Sequence, residues 1–228
     1  MCNFQETRVT VLISGEGSNL QALIDASRSK LKYIHIVRVI SNRISANGLN
    51  RAKAAAIPTT YHNLIKGKYY SKDEQDQLKK KHGREKYDAD LAGLILADKP
   101  DIVVCAGFMQ ILTPKFLDPM KDHDIPVINL HPALYGKYDG ESAVRRAYID
   151  FLAGKLENNQ TGVMIHYVIS EVDRGEPIIQ KVVKCYNSES YENFANRMHE
   201  EEHQVIVEGL ALAIRKLWEK RSIKNPTC

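Results

Sequence analysis

Short apolar runs punctuate this chain and alternate with longer stretches in which apolar residues return every three or four positions. The first run, Val9-Thr10-Val11-Leu12-Ile13, is apolar at every position but Thr10 and does not alternate, the mark of a strand buried on both faces of a parallel sheet. Similar runs recur at 34–40, 59–61, 101–106 and 127–130, and helical periodicity fills 19–27, 46–56 and 142–153. That alternation predicts parallel strands joined by helical crossovers. A long helix is predicted over 71–97, with Ser71 as its cap and Asp73 and Glu74 near its positive end, although Asp88-Ala89-Asp90 and Gly93 interrupt its pattern. After Gly154 the style changes. Residues 161–169 and 177–183 read as two extended runs around the turn Asp173-Arg174-Gly175, an antiparallel pair appended to the sheet, and a last helix is predicted over 190–218. No repeat, low-complexity tract or linker interrupts the chain, so a single α/β domain is expected.

The passage from the first strand to the first helix is Ser14-Gly15-Glu16-Gly17-Ser18-Asn19-Leu20. Unpaired N–H groups and the positive dipole end at a helix start stabilise an anion, and glycine lets the backbone approach it closely. Ser18 and Asn19 add side-chain donors. A dinucleotide fits this loop poorly. Leu20 stands where a third glycine would be needed, and the second strand ends in Ser41-Asn42-Arg43 without an acid to hold a ribose. A monophosphate suits it better; a tight turn that merely caps a helix is the alternative.

The run Val127-Ile128-Asn129-Leu130-His131-Pro132 carries an amide and an imidazole on alternate residues, hence on one side of a strand, and Pro132 leaves them at its carboxyl end. Open parallel sheets place ligands at that end. An amide can donate to a developing oxyanion, and an imidazole can donate to it or move a proton. The pattern alone leaves His131 open between catalysis and structure, since seven other histidines are present and His166, inside Val163-Met164-Ile165-His166-Tyr167, reads as an ordinary strand residue. Asp173 alone reads as turn chemistry. It matters only if its loop folds back on His131, where a carboxylate is expected to raise the pKa of the ring.

Composition narrows the classes. At 228 residues, 43% hydrophobic and 26% charged, the chain is that of an ordinary globular protein. A net charge of +4 suits small anions and falls short of a nucleic-acid footprint. The run Lys79-Lys80-Lys81-His82-Gly83-Arg84 reads as a solvated helix end. No stretch is apolar enough to span a bilayer and no signal peptide is visible, so a cytoplasmic location is expected. Cys2, Cys105, Cys185 and Cys228 lack metal-ligand or disulfide spacing; Cys105 reads as a buried apolar residue.

Taken together, Val11-Leu12-Ile13-Ser14-Gly15-Glu16-Gly17-Ser18-Asn19-Leu20, Ala106-Gly107-Phe108-Met109-Gln110-Ile111-Leu112, Asn129-Leu130-His131-Pro132 and Asp173-Arg174-Gly175-Glu176-Pro177 resemble the monofunctional phosphoribosylglycinamide formyltransferases. The resemblance runs from Arg8 to about Trp218. It implies an open, mostly parallel Rossmann-like sheet with helices on both faces and the antiparallel pair near the C-terminus. It also implies one formyltransferase domain over 1–228, with 1–7 flexible, a phosphate-binding half of about 8–100 and a catalytic and folate-binding half of about 101–220. Its implied substrates are glycinamide ribonucleotide and 10-formyltetrahydrofolate, with no metal, no nucleic acid and no membrane, in a monomer or homodimer. By position, Gly17, Ser18 and Asn19 are to cradle the ribonucleotide phosphate, and Asn129, His131 and Asp173 are to form the catalytic trio. His199 and Glu202 are to contact the ribonucleotide. Folate is to meet Lys72, Met109, Gln110, Ile111, Leu112 and Asn129, closed by Ile169, Ser170, Glu171, Val172 and Asp173.

The sequence also departs from the family pattern. Gln110 and Lys72 stand where arginines are usual, Glu141-Ser142-Ala143-Val144 lacks the usual histidines, and Leu134-Tyr135-Gly136-Lys137 replaces Leu-Leu-Pro-Lys, which predicts a more mobile loop after His131. The implied mechanism is direct attack of the substrate amine on the formyl carbon, with Asn129 and a protonated His131 holding the oxyanion. Related readings are weaker. A formyltetrahydrofolate hydrolase usually carries an N-terminal regulatory domain, whereas seven residues precede Arg8; a methionyl-tRNA formyltransferase is expected to extend well beyond Trp218. A non-catalytic binder on the same fold has no reason to keep the whole trio.

Overall fold

A computed structural model describes residues 5–224. Its chain forms two compact units, Met1–Val127 and Ile128–Cys228. The first contains β1 (Thr7–Ile13), α1 (Ser18–Ser27), β2 (Ile34–Ser41), α2 (Asn47–Ala54), β3 (Thr59–Tyr61), α3 (Gln77–Ala97), β4 (Ile102–Cys105) and α4 (Pro114–Asp122). β1 lies parallel to both β2 and β4, and β2 is parallel to β3. The apolar Val9, Val11, Leu12 and Ile13 are buried, and Thr10 between them as well, because both faces of β1 are covered. Each such apolar side chain contributes about 1.5–3 kcal/mol when fully buried. In α1, Leu20, Leu23 and Ile24 supply the buried stripe.

Two helices differ from expectation. α3 begins at Gln77 rather than Ser71, because the Asp76 carboxylate caps it by accepting from the main chain of Leu78 and Lys79. Asp73 and Glu74 precede that start, and Glu74 Oε1 accepts the main-chain N–H groups of Gln75 and Asp76. The helix runs unbroken through Asp88 and Gly93. α4 was not evident in the sequence: Pro114 occupies its first turn and Pro119 its interior, so the stretch reads as two breaks.

The second unit holds most of β5 (Val127–His131), followed by α5 (Ala143–Leu152), a 3₁₀ turn (Glu157–Asn159), β6 (Gln160–Tyr167), β7 (Pro177–Lys184) and α6 (Tyr191–Lys224). β6 runs antiparallel to β5 and to β7. α6 lies so close to β6 that a Cβ on Gly209 would fall 2.4 Å from the Ile165 side chain. Strand order is β3-β2-β1-β4-β5-β6-β7. The expected mostly parallel α/β sheet with an antiparallel pair at its C-terminal end is the fold observed.

Cys105 and Cys185 are buried free thiols, while Cys2 and Cys228 lie outside the described residues. Burial pushes the Cys185 thiol up to about 11 and Cys105 to about 12, so neither is a nucleophile at neutral pH. Of the segment 1–7, residues 1–4 lie outside the described residues, and Thr7 already belongs to β1. No described helix is long and apolar enough to cross a membrane.

Candidate active site

In the first unit, β1 delivers the chain into the glycine loop and α1 begins directly after it. Gly17 adopts φ 74°, ψ 30° as the N-cap, and neither a capping side-chain bond nor an acid in the first turn competes for the helix start. Ser18 is half-buried and Asn19 buried. α2 shapes the loop from behind. Gly48 N–H donates to Gly15 O at 3.2 Å, Arg51 Nε donates to Glu16 O at 2.9 Å, and Arg51 Nη2 and Asn47 Nδ2 reach Glu16 Oε1 at 2.7 and 2.8 Å. Those Asn47 and Arg51 bonds hold the Glu16 carboxyl below its ordinary pKa. A Cβ on Gly17 would lie 2.5 Å from Gly48 Cα, so glycine is required there for contact as well as for its positive φ.

The segment 109–112, also in the first unit, exposes Met109 by 61% and Ile111 by 64% while burying Leu112. Gln110 Oε1 is buried and finds no hydrogen-bond partner among the described residues. Lys72 lies exposed in the turn before α3. Arg84, on α3, reaches this segment instead: its guanidinium donates to Ile111 O and pairs with Asp88 at 3.1 Å. The basic run is therefore solvated only in part, since Arg84 turns inward. Its spacing of four from Asp88 on a helix is the sequence signal that could have flagged it.

The second unit assembles the trio. Asn129 and His131 project from the same side of β5, and the turn after β6 returns Asp173 to them. Asp173 Oδ2 lies 3.3 Å from His131 Nδ1 and accepts Gly140 N–H at 2.8 Å; Asp173 Oδ1 accepts from Asn129 Nδ2 at 3.3 Å. Asp173 adopts φ 56°, a left-handed conformation that Asp tolerates better than most residues. The turn fits only because Gly175 lacks a side chain: a Cβ there would sit 1.7 Å from Tyr167 O. Burial pushes the Asp173 carboxyl up, but the His166 bond, Gly140 N–H and the His131 ring outweigh it, so its pKa lies below the ordinary range.

His131 reverses one expectation. The ring is 3% exposed, and burial lowers its pKa more than Asp173 and a Lys137 main-chain bond raise it. The net direction is down, so His131 is neutral at neutral pH. A hydrogen on Nδ1 faces the carboxylate, which leaves the lone pair on Nε2. That Nε2 is buried with no hydrogen-bond partner among the described residues. The ring is thus poised to accept a proton rather than standing charged.

His166, which the sequence presents as a strand residue, is part of this cluster. Its Nδ1 donates to Tyr167 O at 2.8 Å, which commits that nitrogen's hydrogen. Nε2 stands 3.2 Å from Asn129 Nδ2 and 3.4 Å from Asp173 Oδ1. In the neutral ring it accepts from Asn129; in the charged ring it donates to Asp173. The register pairing Asn129 with His166 across β5 and β6 is a long-range fact that no local motif announces.

The remaining residues are placed as follows. Ile169, Ser170, Glu171 and Val172 are exposed on the approach to Asp173. On α6, Glu202 is 7% exposed and His199 is exposed, so the two residues, one turn apart, differ in environment. The loop after His131 is tied down: Tyr135 N–H donates to Gln180 Oε1 at 2.8 Å, Tyr135 OH to Arg174 O at 3.3 Å, and Arg174 pairs with Asp139 at 2.6 Å. Among the described residues, no group of three or more His, Cys, Asp or Glu side chains is placed to hold a metal ion.

Residues 7–210 match the formyl transferase family. Phosphoribosylglycinamide formyltransferase of Schizosaccharomyces pombe is 42% identical over 89% of this chain and 94% of its own length. That of Dictyostelium discoideum is 41% identical over 91% and 98%. Glycinamide ribonucleotide transformylase 1 of Symbiobacterium toebii superposes with a TM-score of 0.76 at 28% identity, covering 94% of this chain and 90% of that one. With a family match over most of its length and relatives this similar, the chain belongs to the formyl transferase family, among the phosphoribosylglycinamide formyltransferases.

Proposed function

We propose that this enzyme transfers the formyl group of 10-formyltetrahydrofolate to the amine of glycinamide ribonucleotide, in purine biosynthesis, as a single cytoplasmic formyltransferase domain, monomeric or homodimeric. The observation that carries the chemistry is the buried His131 ring, with Nδ1 against Asp173 and Nε2 unpartnered. Gly17, Ser18 and Asn19 bind the ribonucleotide phosphate, with main-chain N–H groups of the α1 start as the principal donors. Glu202 and His199 contact the rest of that substrate. The exposed apolar surface of Met109 and Ile111 suits a flat heteroaromatic ring, with Gln110, Leu112, Lys72 and residues Ile169, Ser170, Glu171 and Val172 completing the folate contacts.

Attack of the amine nitrogen on the formyl carbon forms a C–N bond and moves a carbonyl electron pair onto oxygen. His131 Nε2 accepts the proton that the amine must shed. The resulting imidazolium is stabilised by Asp173 and, with Asn129, donates to the oxyanion. Collapse of the oxyanion re-forms the carbonyl and breaks the second C–N bond, whose electron pair leaves with the folate nitrogen; that nitrogen takes the proton back, which restores neutral His131. A neutral resting ring serves this sequence better than a charged one, since only the neutral ring can take a proton.

The test is tetrahydrofolate release, measured with and without glycinamide ribonucleotide. Release that requires the ribonucleotide is expected. Release without it points to a hydrolase, and none at all to a binding protein.

A further inference from the structure

Residues 106–113 lie between β4 and α4 and belong to neither, yet Met109 and Ile111 stay well exposed there. An apolar segment outside any ladder needs other restraints to keep one conformation. Side chains supply them on alternate residues. Met109 N–H donates to Ser14 Oγ at 2.8 Å, and Thr113 N–H donates to Asp88 Oδ2 at 2.8 Å. Between them, Ile111 O accepts from Arg84, whose guanidinium is oriented by Asp88 at 3.1 Å.

Both end anchors are themselves fixed. The Ser14 hydroxyl spends its one hydrogen on Asn42 Oδ1, at 2.6 Å, so its lone pairs face Met109. Asn42 O in turn accepts from Asn63 Nδ2 at 2.8 Å, which ties the end of β2 to the same chain of bonds. Ser14, Asn42 and Asp88 are all buried. Asp88 is a fully buried carboxylate that pairs with Arg84 and accepts from Thr113 N–H. Stability alone explains it poorly, because replacing a buried charge pair by apolar residues is often neutral or stabilising.

We propose that Ser14 and Asp88 are positioning residues for the formyl-folate substrate, bracing the two ends of the 109–113 main chain so that it meets the ligand already ordered. The proposal rests on the assignment of Met109–Leu112 to the folate pocket. Pre-ordering lowers the entropic cost of binding, and its loss appears in affinity rather than in the chemical step.

Steady-state kinetics on Asp88→Asn and Ser14→Ala test it. Each variant is expected to raise KM for 10-formyltetrahydrofolate about tenfold, the size of one lost buried hydrogen bond, while kcat changes by less than about twofold. Asp88→Asn leaves KM for the ribonucleotide unchanged. Amide exchange read by NMR is expected to accelerate at Met109 in Ser14→Ala and at Thr113 in Asp88→Asn. Ser14→Ala removes only one oxygen and carries the test if Asp88→Asn does not fold. Ile111→Ser, at an exposed position, separates the two ideas. If it raises the folate KM while the anchor variants do not, the pocket assignment stands and the brace is overturned. If neither it nor the anchor variants change that KM, the pocket assignment falls and the brace falls with it.

Discussion

The glycine loop and the Asn129–His131–Asp173 cluster solve different problems with different materials. The loop offers main-chain N–H groups, and its shape comes from missing atoms: Gly17 fits because nothing stands between it and Gly48 Cα. The cluster is made of side chains whose protons are shared among four residues once His166 is included. A site made of backbone is disabled by adding atoms, whereas a site made of side chains is disabled by deleting them.

That contrast sets what to break first. His131→Ala deletes the proposed proton acceptor, and kcat is expected to fall by about 10³, within the range for general acid–base groups, with KM for both substrates near normal. Stopped-flow or steady-state turnover decides it; more than a tenth of native kcat removes His131 from the chemistry. Asn129→Ala deletes one proposed oxyanion donor and is expected to cost about 10²–10³ in kcat. In the loop the order reverses. Gly17→Ala adds one methyl in a left-handed, crowded position and is expected to weaken ribonucleotide binding by roughly ten- to a hundredfold, while Ser18→Ala costs about tenfold or less. Calorimetry with the ribonucleotide separates them, and a Ser18→Ala loss larger than that of Gly17→Ala reverses the assignment of backbone and side-chain roles.

Smaller effects sharpen the picture inside the cluster. Burial already holds the His131 pKa below its ordinary value of about 6.5. The ring therefore stays neutral as pH falls toward 6.5 and gains its proton only below that, where turnover should decline. Asp173→Asn removes the charge that favours the imidazolium, so the titration and the acid limb of the rate profile move lower still. An NMR titration of ring-labelled protein, assigned with His131→Ala, reads the shift; an unmoved resonance leaves Asp173 as a turn residue. Within the cluster the smallest predicted loss of turnover is in His166→Phe, which deletes both ring nitrogens at similar volume. It frees the Asn129 amide to rotate and should lower kcat about tenfold. Combining it with Asn129→Ala should then cost little beyond Asn129→Ala alone.

What was legible in the sequence follows the same division. The loop could be read because its physics is local: glycines, a strand before them and a helix after them. β1, β2 and the antiparallel pair were readable for the same reason, as runs of one period. α4 is hidden by Pro114 and Pro119, and the start of α3 by Ser71, an earlier residue able to cap a helix that the structure passes over for Asp76. Asp173 looked like turn chemistry, and it is in a turn; its second role depends on a return to β5 that no neighbouring residue encodes. The sign of the His131 shift is not legible in the sequence, which shows a charged partner more readily than the depth of burial, and here burial dominates. His166 reads as an ordinary strand residue because its partner, Asn129, lies across a strand pair.

Gly175 has a consequence for how this protein can vary. Because any Cβ there would overlap Tyr167 O, with 1.7 Å between the centres, the position admits a single amino acid whatever its neighbours become. A saturation library selected for growth on the purine pathway should return only the glycine codons at 175 and a broad spread at exposed Glu176. Divergence in this turn is thus channelled into the residues around a fixed pivot, which holds the carboxylate two positions earlier in its place.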